Sequence, residues 1–512
     1  MQLKLSILFL LFLSITQAQQ ITVMDVTTGE PLTNVAIYNK DKSKSAVTDI
    51  QGKADISEFT DTEVIIFKSV SYAEAYRRKR EIIKNDKQVF LEPTENQLDQ
   101  VTISVAKFKL NKDEIPQKIV SISPEDIQLA SPQTSADLLE STGQVYVQKS
   151  QLGGGSPMIR GFATNRLLLT VDGVRMNSAI FRSGNLQNVI SIDPMMVEST
   201  EVILGPGSVV YGSDAIGGVM NFFTLKPKFS FKETTSFSGN IYTRFATANN
   251  ENTVHADVNI GRENWAFRTG VTYSDFGDLK MGEHGPDDYL RPDYAVRRDG
   301  EDVMVENEDP LVQKPTGYNQ LNLLQKVKYM PAKDWDFNLG LVYSNTSDFP
   351  RYDRLYRKRD GVLRSAEWYY GPQTWFLGSL NINHRSDSEF YDKVQFTTAY
   401  QFFAESRNDR DFGDPVLFTT EENVDAYSAN LDFEKGFSES KLFYGFEYVL
   451  NNVDSKGSFR NIETDETGET ASRYPDGSKW RSMAVYSSYQ WKLREKLSLQ
   501  SGLRYNHILA DA

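Results

Sequence analysis

The sequence predicts a mainly β protein in three blocks: a small β-sandwich, a compact α+β unit and a transmembrane antiparallel β-barrel. Three observations carry that prediction. A mean hydropathy of −0.46 with 12% aromatic residues describes a chain that is polar on average yet rich in the residues that suit half-buried strands. From about residue 230, apolar residues recur at every second position in segments about ten residues long, the period of a strand with one wet and one apolar face. No window of about 18 apolar residues occurs, so no helical span is encoded.

The chain opens with "MQLKLSILFLLFLSITQA", residues 1–18. Lys4, an apolar run from Leu5 to Leu13 and a small-residue end at Ala18 predict a signal peptide cleaved after Ala18. Zero cysteines remove disulfides, thiolate metal sites and cysteine nucleophiles. A net charge of −13 argues against a nucleic-acid partner, because no basic surplus offsets phosphate repulsion.

Residues 20–92 hold short alternating strands such as "ITVMDV", "NVAIYN" and "EVIIFKSV", separated by turns at Thr28-Gly29 and Gln51-Gly52. That spacing predicts a β-sandwich. The wording around "TGEPL" and "TDIQGK" resembles the carboxypeptidase-regulatory-like β domain of some exported proteins. A polar connector, 93–115, follows and contains one alternating strand, "LDQVTISVAK".

Residues 116–227 form the second block. Ser135 is the expected N-cap of a short helix over Ala136 to Leu139. Leu167 to Val171 and Val174 to Met176 flank Asp172-Gly173, a pair that predicts a tight hairpin with positive φ at the turn. Arg160, Arg166, Arg175 and many glycines surround this hairpin, as in a small loop-rich unit with polar edges.

In the third block, 230–512, "TVHADVNIG" sets Val254, Ala256, Val258 and Ile260 against His255, Asp257 and Asn259. "NWAFRTGVTYSD" sets Trp265, Phe267, Val271 and Tyr273 against Arg268, Gly270, Thr272 and Ser274. The pattern recurs to give eleven strands. Short turns near 262, 331–334, 386–390, 435–440 and 493–496 alternate with long polar connections near 276–316, 346–373, 405–423 and 453–481. Apolar-out strands with this asymmetry of turns predict a membrane barrel in contact with outer-membrane lipid. An antiparallel barrel closes on an even strand number, and the sequence runs out at "LRYNHILADA", so it reads as the front part of a longer protein.

The run "LLESTGQVYVQ", "MIRGF", "NRLLLTVDGVRMN" and "VESTEVILGPGSVVYGSDAIGGVMNFFT" resembles the plug domain of TonB-dependent outer-membrane receptors over about 110 residues. The resemblance implies a plug inside a 22-stranded barrel, of which eleven strands are half. It implies a TonB box at Leu98, Asp99, Gln100, Val101, Thr102, Ile103, Ser104 and Val105, where an exposed strand adds to a sheet edge of the periplasmic TonB complex. Arg160 and Glu201 are expected to brace plug against barrel wall.

The implied work is energised import across the outer membrane of a Gram-negative bacterium. No G-x-S-x-G, H-E-x-x-H or phosphate-loop motif is present, and neither enzyme chemistry nor a bound cofactor is predicted. Ligand contacts are expected at the plug apex, from Phe181, Arg182, Asn185, Gln187 and Asn188, with His255 and His284 from the barrel. The wording is most similar to receptors for iron complexes, with haem and a ferric siderophore-type ligand both open. Haem wants an axial histidine, and of the four histidines His384 and His507 fall at strand ends. "LLLTVDGV" departs from the wording of the glycan-importing branch. A surface lipoprotein is a further partner the family allows; a passive porin or barrel-anchored adhesin is the alternative class.

Overall fold

The computed structural model describes residues 19–26, 28–69, 72–92, 101–102, 107–108, 110–111, 115–181, 188–230, 234–494 and 497–512. The predicted signal peptide lies outside them. The chain divides into two compact units, residues 1–98 and 99–512.

The first unit is a sandwich of two sheets. Gln20–Asp25 pairs antiparallel with Lys53–Asp55 and parallel with Gln88–Leu91. Ser45–Val47, Ala36–Asn39, Val64–Ser69 and Tyr72–Arg78 form the other sheet in that order. Period-2 alternation sends Ile21 and Val23 from one sheet and Ile37, Ile65 and Phe67 from the other into one core. The Tyr72 hydroxyl donates to Asp25 at 2.9 Å across the two sheets, and burial beside that carboxylate pushes the phenol pKa up.

The plug is a five-stranded sheet in the order Ile119–Ile122, Val197–Ile203, Gly218–Thr224, Leu167–Val171 and Val174–Arg175. The predicted hairpin forms, with φ of 50° at Asp172 and 81° at Gly173. The dominant partner of Leu167–Val171, however, is Gly218–Thr224, and that pairing is parallel. The short helix Ser135–Glu140 is capped by Thr134, whose side chain accepts from the Asp137 N–H while Asp137 bonds back. Ser135 is therefore the first helical residue and not the cap. Its hydroxyl instead donates to the Ile192 carbonyl at 2.6 Å.

The wall is an antiparallel path of eleven neighbouring strands, from Ser236–Ala246 to Leu497–Asp511, within a sheet of fourteen strands among the described residues. The alternation is as read from the sequence. Along Trp265–Phe276 every odd-numbered side chain is exposed and every even-numbered one buried. Polar residues make up the inward face: His255, Asp257, Asn259, Arg268 and Thr272 are all buried. The plug touches strands from first to last, at Arg244, Lys326, Gln401, Asn451 and Arg504 among others, so the sheet curves about it.

Two expectations change. The stretch 405–423 is no loop: Lys393–Asp411 and Val416–Phe437 run 19 and 22 residues and stay paired out to Asp409↔Phe418. A membrane span needs only about 9–11 residues per strand, so this hairpin projects well beyond the bilayer. The inward face is also not uniformly polar. Leu324, Val342, Trp375, Leu377 and Phe403 face inward and join the plug's own core, because the plug presents an apolar surface there.

Candidate functional site: a plug fixed in its barrel wall

At the short-turn end, Val101–Thr102 pairs antiparallel with Leu110–Asn111. The remaining residues of the expected TonB box, Leu98 to Gln100 and Ile103 to Val105, lie outside the described residues. Just beyond it the Lys107 ammonium meets the Asp432 carboxylate of the wall at 3.1 Å. Tyr486 donates to the same carboxylate at 2.6 Å, and the Lys107 ammonium sits 5.5 Å from the Tyr486 ring centroid. Phe108 stacks on Phe443 beside them at 6.1 Å.

The plug is braced to the wall by buried ions rather than by shape alone. Arg175 on the hairpin pairs with Asp214 at 2.6 Å and lies 3.5 Å from Glu447, which Arg504 also holds at 2.6 Å. Asp172 accepts from the Thr224 N–H at 3.0 Å and pairs with Lys326 at 2.8 Å. Opposite charges desolvated together fix register, because removing one partner strands the other. Of the residues expected in this role, Glu201 is buried on the central plug sheet, 7% exposed. Arg160 is exposed, and among the described residues no hydrogen bond or ion pair engages it. Arg175 takes the place expected of it.

At the long-loop end the plug apex meets an aromatic cluster. Leu152 and Ile190 of the plug pack with Phe276, Tyr318, Phe349, Trp368 and Tyr370. Phe276 and Tyr318 lie 4.8 Å apart, Trp368 and Tyr370 5.0 Å edge to face. Gly153 permits this approach: a Cβ there would fall 2.8 Å from Tyr318 and 2.9 Å from Ile190. Further out, the hairpin Asp293–Arg298 and Glu301–Glu306 is tied down by Asp302, which takes both terminal nitrogens of Arg410 at 2.6 and 2.9 Å. Arg410 also donates to Glu367 at 2.7 Å.

The predicted ligand residues separate. Phe181 packs, half-buried, on the plug core. Arg182, Asn185 and Gln187 lie outside the described residues, and of Asn188 only the backbone turn Asn188–Ser191 is described. His255 is fully buried, with one ring nitrogen 2.7 Å from Thr272 and the other 3.2 Å from Asp257, which leaves neither for a ligand. His284 is exposed in the connection 277–317. His384 sits at the short-turn end, 3.3 Å from Asp334. Among the described residues no cluster of three or more His, Asp or Glu has metal-site geometry.

Comparison with known proteins places these features. Residues 111–219 match the TonB-dependent receptor plug domain, and residues 378–512 match the outer membrane protein beta-barrel family. A vitamin B12 transporter, BtuB, of Vibrio vulnificus is 37% identical over 136 residues, 26% of this chain and 22% of that protein. The BtuB of Photobacterium profundum is 22% identical over 378 residues, 73% of this chain and 54% of that protein. Among solved structures, the ferripyoverdine receptor of the Pseudomonas aeruginosa outer membrane aligns with a TM-score of 0.59 at 13% identity, covering 96% of this chain and 62% of that one. The copper transporter OprC aligns with a TM-score of 0.59 at 16% identity, covering 77% and 57%. The chain thus spans little more than half the length of the larger matches. It is a protein of the Gram-negative outer membrane, carrying a TonB-dependent receptor plug domain joined to an outer-membrane β-barrel wall.

Proposed function

We propose that this chain acts in TonB-dependent import of an iron complex into the periplasm. The observation that carries the proposal is the Lys107 anchor: segment 98–105 lies directly before the point where the plug's lead-in is pinned to the wall. A partner that adds a strand to this segment gains backbone hydrogen bonds, and a pull along it loads the Lys107–Asp432 pair before it reaches the plug sheet. The plug and the wall share one apolar core and the ion pairs Lys107–Asp432, Arg175–Glu447 and Asp172–Lys326, which hold the plug against the wall at rest.

The cargo reading rests on the aromatic cluster between plug apex and outer connections and on the relatives of the chain. The aromatic cluster packs the plug apex against the outer connections with its rings buried, and a cargo that loosens this contact would have to offer a larger surface than a bare ion does. Haem is the weaker of the two iron readings, because His255 has both nitrogens engaged and, of the other histidines, His284 alone lies in a long outer connection. A corrinoid is the second reading, favoured by the sequence relatives named as vitamin B12 transporters. Cells carrying the complete receptor as their sole such protein are expected to grow on a ferric chelate under iron limitation. Growth that depends on cyanocobalamin supply and not on iron source would transfer the assignment to the corrinoid reading.

A further inference from the structure

The buried charges where the plug meets the first wall strands pair off one by one. Arg244 meets Glu251 at 2.6 Å, Arg268 meets Asp257 at 2.7 Å and Lys326 meets Asp172 of the plug at 2.8 Å. Between these pairs stand two further titratable groups, Asp193 of the plug and His255 of the wall, 8% and 0% exposed. The Tyr242 ring also lies 5.9 Å from that of His255, and a phenol keeps its proton throughout the neutral range.

Thr272 links the two. It lies directly opposite His255 in the strand register, with its hydroxyl 2.7 Å from His255 Nδ1. His255 Nε2 is 3.2 Å from Asp257 and therefore carries a hydrogen, because a bare lone pair would repel the carboxylate. On the plug side Asp193 caps the turn Pro194–Met196, where its Oδ1 accepts the Met195 N–H at 2.9 Å. Its Oδ2 is buried and lacks a hydrogen-bond donor, although Thr272 and His255 both act on this carboxyl. Burial pushes the Asp193 carboxyl pKa up, and Thr272, the Met195 N–H, His255 and Arg244 oppose the shift.

A hydroxyl has one hydrogen, and two acceptors compete for that of Thr272: Asp193 and His255 Nδ1. With no further proton, one acceptor stays buried and unpaired. With one proton the row closes in either of two ways. A proton on Asp193 donates to Thr272 while Thr272 donates to Nδ1. A proton on Nδ1 donates to Thr272 while Thr272 donates to Asp193. A second proton strands the Thr272 hydrogen without an acceptor. One proton satisfies the row.

We propose that Asp193, Thr272 and His255 form a one-proton latch between plug and wall, so that seating the plug binds a proton and raising the pH loosens it. The latch rests on the seated plug and on neither cargo nor TonB. Above about pH 7 a carboxylate and an imidazole separated in water share no proton, so the seated state holds one more than the released state. Seating then weakens as pH rises, by about tenfold per pH unit at full linkage. Below about pH 6 a separated imidazole takes up the proton itself, and the dependence vanishes. Ion pairs of arginine or lysine with carboxylates do not titrate in this range.

The test is amide exchange of residues 188–203 in the complete receptor purified from outer membranes. Rates are taken at about pH 6.5 and about pH 8.5 and divided by those of the free peptide at each pH. Protection in the parent is expected to fall about tenfold or more between the two. Asp193→Asn gives Thr272 a permanent N–H donor and should show no such fall. His255→Gln should show none either, whereas Thr272→Ser keeps the hydroxyl and should retain it. Heat-modifiable gel mobility identifies the variants whose barrels are folded. Equal parent protection at the two pH values overturns the latch. A fall that persists in either folded variant, D193N or H255Q, overturns it too.

Discussion

Lys107 and Asp432, 325 residues apart in sequence, form an ion pair whose side chains are 7% and 1% exposed. The pair joins the plug's lead-in to the eighth strand of the wall, two residues past the segment expected to meet TonB. Breaking a buried pair from one side costs about 3–5 kcal/mol, because the other charge is left unpaired. Asp432→Asn should therefore speed amide exchange at residues 107–111 by a hundredfold or more. Hydrogen exchange followed by mass spectrometry reads this directly, and unchanged protection would deny the anchor its role.

Asp172 carries two tasks at one residue, a φ of 50° and the ion pair to Lys326. Asp172→Ala loses both the left-handed tolerance of aspartate and the cross-interface charge, for about 2–4 kcal/mol of plug seating. In planar bilayers the variant should show transient conductance steps at urea concentrations where the parent stays closed.

Gly153 is a steric prediction. With Tyr318 and Ile190 within 3 Å of any added Cβ, Gly153→Ala should destabilise the seated plug by about 1–3 kcal/mol. The midpoint of thermal unfolding should fall. Trimming the opposing ring, Tyr318→Leu, in the same chain should restore part of the loss.

The outer hairpin has a pH signature. Burial penalises the Asp302 carboxylate, but hydrogen bonds from Arg410 and the Gly413 N–H overcome it and leave the pKa below the ordinary value. A group depressed on folding stabilises fully above its unfolded pKa, about 4, and loses that contribution as pH falls through the lower folded value. Proteolysis within 293–306 should therefore be slow from neutral pH down to about 4 and accelerate only in stronger acid. Asp302→Asn should be cleaved quickly at every pH.

What the sequence revealed follows from which interactions are local. Eleven wall strands were legible because the pleat writes inside and outside into alternate residues, as along Trp265–Phe276. The Asp172-Gly173 turn was legible because few other residues take positive φ at both positions. Thr134 and Ser135 are neighbouring cap formers, and the choice between them was made by the Ile192 carbonyl, which sequence does not reveal. The stretch 405–423 is polar and reads as loop, yet pairs as strand because buried polar residues such as Arg410 find their partners, Asp302 and Glu367, far away in the chain. Lys107–Asp432 and Arg410–Asp302 were invisible, since nothing local links partners so far apart in the chain. His255 was rightly placed facing inward, but its engagement by Thr272 and Asp257 depends on a neighbouring strand.

The central claim is that import is driven by a pull on segment 98–105. The direct measurement is uptake of a radio-iron-labelled chelate by cells making the complete receptor, with and without residues 98–105, at equal surface abundance. The account predicts that the deletion abolishes accumulation while binding at the cell surface persists, and that a protonophore does the same to the parent. Accumulation that survives the deletion would contradict it and identify the protein as a passive pore.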